Sequence, residues 1–161
     1  MILRKIKLDK PTGFYDLIIN NQLGKGEFMS TVKLNDSFED PITQEVFNDI
    51  KKTRSTDYIG NLWKYLSFNP LLLKDIWQEV KTTMSNETLI DKKTKELIYM
   101  AVSITNNCSY CIHSHTAAAK KLGLSQEEHA EFLRIVSLAA KTNQLLNGMQ
   151  LPVDQSFNED S

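Results

Sequence analysis

Cysteine and histidine are scarce in this 161-residue chain, with two of the first and three of the second. Two cysteines cannot build the multi-bridge framework of a small secreted domain, and a chain of this length needs none to hold a core. No apolar run approaches the ~18 residues of a membrane span. The N-terminus MILRKIKLDK carries charges where a signal peptide would hold its apolar stretch. There is no basic excess either: the net charge is −1, so the chain lacks the positive field that neutralises phosphates, and nucleic acid is not an expected partner. These absences point to the cytoplasm, where structural disulfides are rare and a close cysteine pair reads as catalytic, redox-sensing or metal-binding.

What is present changes in texture along the chain. Residues 1–38 hold three of the six glycines and read as short extended pieces. FYDLIIN and GEFMSTVKL are strand-like runs, the second placing Phe28, Ser30, Val32 and Leu34 on one side, with NNQLGKG between them as a turn. This extension is expected to be a β-hairpin or an extended arm. Residues 39–147 read as one all-α domain of about six helices. Asp40 caps the first and Pro41 opens it, with Ile42, Val46, Phe47 and Ile50 as its apolar stripe. A second helix carries Ile59, Leu62, Trp63 and Leu66. Asn69 and Pro70 start a third, and a fourth runs from about Asp91 to Ser103. A fifth follows the cysteines and stops at Gly123. Ser125 and Glu128 have capping-box spacing for a sixth, striped by Phe132, Leu133, Val136, Ala139 and Ala140. Residues 148–161 form a polar tail, expected to be disordered.

Both cysteines and two histidines fall inside NNCSYCIHSH, residues 106–115. If the fifth helix begins near Asn107, capped by Asn106 or Asn107, Cys108 lies in its first turn, where unpaired N–H groups and the helix dipole favour a thiolate. Cys111 is three residues on and shares that face. At about 100° per residue, His115 falls within about 20° of Cys108, whereas His113 points about 140° away. Cys108, Cys111 and His115 thus form one row. His115 is the candidate proton carrier, and His113 reads as a surface or interface residue. Glu96, on the preceding helix, has two readings: it turns into the helix interface and serves the histidine, or it joins Lys92, Lys93 and Lys95 on a solvated face. The pair itself admits a redox couple, an inert pair, or a zinc site with Cys108, Cys111 and His115 as ligands and Glu96, His113 or His129 as the fourth. A non-enzymatic thiol sensor is a further class.

The spacing E-x11-C-x2-C-x3-H, within KELIYMAVSITNNCSYCIHSHTAAAKKLG and with YLSFNPLLLKDIWQEV upstream, resembles the alkylhydroperoxidase D-like proteins of the carboxymuconolactone decarboxylase superfamily. The resemblance covers about residues 42–145. It implies an all-helical fold assembling into dimers, trimers or hexamers, and a cysteine-based peroxidase with an antioxidant role that needs no cofactor or bound metal. By matching positions, Cys111 attacks the hydroperoxide, Cys108 resolves the resulting sulfenic acid as a disulfide, and Glu96 and His115 relay protons. The reductant implied is a lipoylated protein, a thioredoxin-like protein or a small thiol. Better-studied members carry a histidine where Tyr110 stands, which implies a shorter relay here. Many related members place two histidines side by side, where this chain separates His113 from His115. Members built for muconolactone decarboxylation lack the cysteine pair, which sets this chain apart from that reaction.

Overall fold

The structure is a computed structural model that describes residues 30–34, 37–86 and 88–158. Most of the expected hairpin lies outside the described residues, and Ser30–Leu34 contain no strand. The architecture is all-α, with six α-helices among the described residues: α1 Pro41–Arg54, α2 Asn61–Leu66, α3 Pro70–Thr83, α4 Lys92–Thr105, α5 Ser109–Lys121 and α6 Gln126–Met149. The described residues contain no strand. None of the described helices is long and apolar enough to cross a membrane. The chain divides into two compact units between Asp75 and Ile76, within α3.

In the first unit the helix signals act where the sequence puts them. Asp40 accepts from Thr43 N–H at 3.0 Å ahead of Pro41, so one of the orphan donors of α1 is satisfied at its start. Lys51, Lys52 and Arg54 occupy the last turn, where cations complement the helix dipole. Val46, Phe47 and Ile50 are buried, and Phe38 packs its ring on Phe47 with centroids 5.3 Å apart. The short helix α2 buries Trp63, and the Arg54 guanidinium lies over that indole at 5.2 Å. Asn69 Oδ1 accepts from Leu72 N–H and so caps α3, as the FNP motif predicts.

The second unit is organised around the α4–α5 helix pair. Asp91 caps α4 through Thr94 N–H. Glu96, Met100 and Ser103 form its buried face, a spacing of four and three that repeats one side of the helix. Met100 clusters with Ala119 of α5 and with Leu124, and Leu97 and Phe132 pack against that cluster. Gly123 has φ +87°, the left-handed conformation that ends α5 cheaply only with glycine. The capping box is complete: Ser125 Oγ accepts from Glu128 N–H, and Glu128 accepts from Ser125 N–H.

Two expectations change. Of the stripe on the last helix, Phe132 and Val136 are half-buried, but Leu133, Ala139 and Ala140 are exposed, and none of the residues of α6 is buried. The helix has the apolar pattern of a core element with too little protein around it to cover that pattern. The tail is also less featureless than its polarity suggested. Gln155–Asn158 form a 3₁₀ turn, with Phe157 N–H donating to the Asp154 carbonyl at 3.1 Å.

Candidate active site

The site begins at the three-residue connection, Asn106 to Cys108, between α4 and α5. Asn107 has φ +55°, a left-handed conformation that asparagine tolerates better than most residues. Its N–H donates to the Ile104 carbonyl at 3.2 Å, and Cys108 N–H donates to the Ser103 carbonyl at 2.9 Å. These two bonds are the Schellman pattern that closes a helix C-terminus. The asparagines therefore end α4 rather than cap α5, which corrects the sequence-based expectation. The cap of α5 is Cys108 itself, whose Sγ accepts from Cys111 N–H at 3.3 Å. One residue thus closes one helix and opens the next, placing a sulfur atom against the unpaired N–H groups of α5.

Cys108 and Cys111 are joined as a disulfide, with Cα atoms 5.3 Å apart, inside the range that such a bond spans. Both residues are half-buried. A bridge across so short a loop removes little unfolded-chain entropy, about 2 kcal/mol on the chain-entropy model. It is a link that can be opened without great loss to the fold.

One turn beyond Cys111 stands His115. Its Nδ1–H donates to Glu96 Oε2 at 2.6 Å, the length of a charge-assisted bond. Glu96 is only 5% exposed, which decides between its two sequence readings: it turns into the interface. The lysines near it go elsewhere. Lys93 Nζ pairs with Glu128 Oε1 at 2.6 Å, and Lys95 Nζ donates to the Thr83 and Ser85 carbonyls. The ammonium of Lys93, helped by Ser125 N–H, holds the Glu128 carboxyl below its ordinary pKa. Hydrogen bonds from Thr94, the side chain first, do the same for Asp91. A carboxylate on Nδ1 fixes the tautomer of His115 and leaves Nε2 as the ring atom free to exchange a proton.

Tyr99, three residues after Glu96, lies flat on the other half of this arrangement. Its ring stacks on the His115 imidazole with centroids 3.8 Å apart and planes 21° apart. Sequence reading did not single it out. The available signal was its i, i+3 relation to Glu96, which places it one turn along the same helix.

The geometry brings together Cys108 with Cys111, and Glu96 with His115. It sends His113 elsewhere: that residue is exposed and, with Met100, His129 and Leu133, lines an open groove of about 490 Å³ between α4, α5 and α6. His113 and His129 are thus turned away from the cysteine row, and among the described residues no group of three or more His, Cys, Asp or Glu side chains is placed to hold a metal ion.

The family model of the carboxymuconolactone decarboxylase family matches residues 71–154, slightly more than half of the chain. The chain belongs to the carboxymuconolactone decarboxylase family. The whole E-x11-C-x2-C-x3-H constellation lies within the matched region. Within this family the chain is alkylhydroperoxidase D-like. It is 47% identical to the alkylhydroperoxidase AhpD core from Rhodospirillum rubrum ATCC 11170, a crystal structure that superposes with a TM-score of 0.79 over 82% of this chain and 99% of that one. It is also 39% identical over 57 residues to the alkyl hydroperoxide reductase AhpD of Mycobacteroides abscessus. That match spans 35% of this chain and 33% of the relative, so the chain covers about a third of that relative's length.

Proposed function

We propose that this family member is a thiol-dependent reductase of hydroperoxides. The observation that supports this best is the disulfide at the start of α5, on the same helix row as a histidine that a buried carboxylate holds at 2.6 Å. In the reaction, the Cys111 thiolate attacks the peroxide. An S–O bond forms, the O–O bond breaks, and the leaving alkoxide takes a proton through His115 to depart as the alcohol. Cys111 is now a sulfenic acid. The Cys108 thiolate attacks its sulfur, forming the S–S bond and releasing hydroxide, which leaves as water once protonated. An external dithiol then reduces the bridge by exchange, giving up two electrons and two protons and becoming a disulfide itself.

Each residue has a physical reason for its part. Cys111 is one turn before His115 on α5, within ~6 Å between Cβ atoms for such a pair. Cys108 sits at the N-cap, where a thiolate gains a charge-assisted bond from Cys111 N–H and the field of the helix end. Glu96 orients His115 and holds its proton on Nδ1. The reductant we assign is a lipoylated or thioredoxin-like protein, and the compartment is the cytoplasm, where such dithiols keep the pair reduced between turnovers. We also assign self-association to the chain, on the exposed apolar face of α6.

The deciding experiment is turnover. Reduced protein given one equivalent of hydroperoxide should lose two hydrogens by mass spectrometry, as the Cys108–Cys111 bridge. With a dithiol in excess it should consume many equivalents. Oxidation without turnover by any dithiol would reject the enzyme and favour a sensor, in which the same bridge alters a partner surface once. Stoichiometric zinc in purified protein, with no disulfide formed, would reject both.

A further inference from the structure

We propose that Tyr99 is a positioning residue, holding the plane of the His115 imidazole so that Nε2 keeps one direction; the inference rests on the hydroperoxide-reductase reading. The hydrogen bond from His115 to Glu96 pins the ring at Nδ1 only. A ring linked to its chain at Cγ and held by one hydrogen bond still rocks about its side-chain torsions, and Nε2 then sweeps an arc. The stacked Tyr99 ring, 3.8 Å away and tilted by 21°, removes that freedom by covering one face of the imidazole. Both restraints come from α4, one turn apart, so they move as a unit relative to α5. The two helices are joined by the short Schellman turn, which fixes the level at which Glu96 and Tyr99 meet His115.

The electrostatics point the same way. An aromatic face is the negative side of the ring quadrupole, and a protonated imidazole against it is favoured, as is one against a carboxylate. Tyr99 is 41% exposed, so its burial does not account for its position. What the ring face does is limit the motion of its neighbour. The ring, rather than the hydroxyl, is therefore the functional part. Because the cysteines lie on α5 beside His115, a fixed Nε2 shortens the search for a geometry in which a proton passes, and rates depend steeply on such placement.

The test compares Tyr99→Phe with Tyr99→Leu by two readouts. The first is the rate of peroxide-driven closure of the cysteine bridge. The second is the ¹⁵N relaxation of labelled histidine, which reports how freely the His115 ring moves. Tyr99→Leu is expected to slow closure by about three- to tenfold, on the scale of one aromatic pair, without changing the KM for peroxide. It should also raise the mobility of the His115 ring, while Glu96 keeps the proton on Nδ1. Tyr99→Phe should stay within about twofold of wild type on both counts. A Leu variant with wild-type rate and wild-type ring mobility would overturn the proposal, as would a Phe variant as damaged as Leu, which would assign the role to the hydroxyl. Should the wild-type chain itself resist peroxide, the reductase reading falls. The histidine relaxation then decides Tyr99 alone: a more mobile ring in the Leu variant supports the restraint, and an unchanged ring overturns it.

Discussion

Glu96 Oε2 and His115 Nδ1 lie 2.6 Å apart across the α4–α5 interface, although the residues are 19 positions apart in the chain. The carboxyl side is buried and the imidazole side is half-open. Such a pair has two uses at once. It satisfies a carboxyl group that would be costly to bury alone, and it delivers an imidazole of defined tautomer to the side of α5 that carries the sulfurs.

Glu96→Gln separates these uses. The amide oxygen still accepts from Nδ1–H, so the fold should hold, with a loss of thermal midpoint of a few degrees at most. The charge that stabilises imidazolium is gone. Peroxide-driven bridge closure should slow by about a hundredfold, the lower end of what a positioned acid–base group contributes. Rapid-quench alkylation of residual thiols measures it. A wild-type rate across the pH range would remove Glu96 from the relay.

The cysteines should behave differently from each other. Cys111→Ser is expected to abolish peroxide consumption. Cys108→Ser should still react once, stopping at a sulfenic acid on Cys111 that a carbon nucleophile traps and mass spectrometry locates. The capping geometry adds a stability contrast. In reduced protein, Cys108→Ser keeps an N-cap acceptor, whereas Cys108→Ala loses it and should cost about 1 kcal/mol in denaturant melts. A trapped sulfenic acid on Cys108 in the Cys111→Ser variant would reverse the assignment.

Much of this site was legible from residue order, and the parts that were not have physical reasons. The row Cys108, Cys111, His115 follows from helical spacing alone. The inward turn of Glu96 did not follow, because KKTKELIY fits a solvated face as well as a buried one, and only the partner across the interface decides. The caps at Asp40, Asn69 and Ser125 were readable since each depends on a local residue pair. The cap of α5 was not: two asparagines before a helix look like N-caps, but Asn107 is spent on the left-handed turn that closes α4. Tyr99 was not readable at all, because its place is defined only by the His115 ring across the interface.

Acid should loosen the start of α6. The Glu128 carboxyl titrates below its ordinary value because Lys93 and Ser125 N–H favour its charged form. A group whose folded value is depressed adds stability above its unfolded pKa and loses it as pH falls through the folded one. The acid limb of the stability curve should therefore flatten in Glu128→Gln, and the Lys93 part of the effect should shrink in high salt. Thermal melts from pH 7 down to pH 3 check this. An acid limb identical in the two proteins would show that the capping box contributes nothing through charge.

The last prediction concerns the uncovered helix. On α6 the residues Ile135, Leu138, Thr142, Leu145 and Met149 recur at alternating steps of three and four, the 3.5-residue period of a helix-pairing seam. Ile135 and Leu138 are each 61% exposed, Met149 59% and Leu145 52%. The seam faces about 120° away from Phe132 and Val136, which turn toward the chain's own core, so it is a second apolar face rather than the edge of the first. The Thr142 hydroxyl donates to the Leu138 and Ala139 carbonyls, which lets it sit in an apolar seam without an unmet partner. A soluble helix with two apolar faces needs two protein partners, and the period fits another helix. The partner we assign is α6 of a second copy. Leu138→Glu and Leu145→Glu, at exposed positions, should fold and sediment as monomers while wild type sediments as an oligomer. A monomeric wild type, or oligomers that survive both substitutions, would move the association elsewhere.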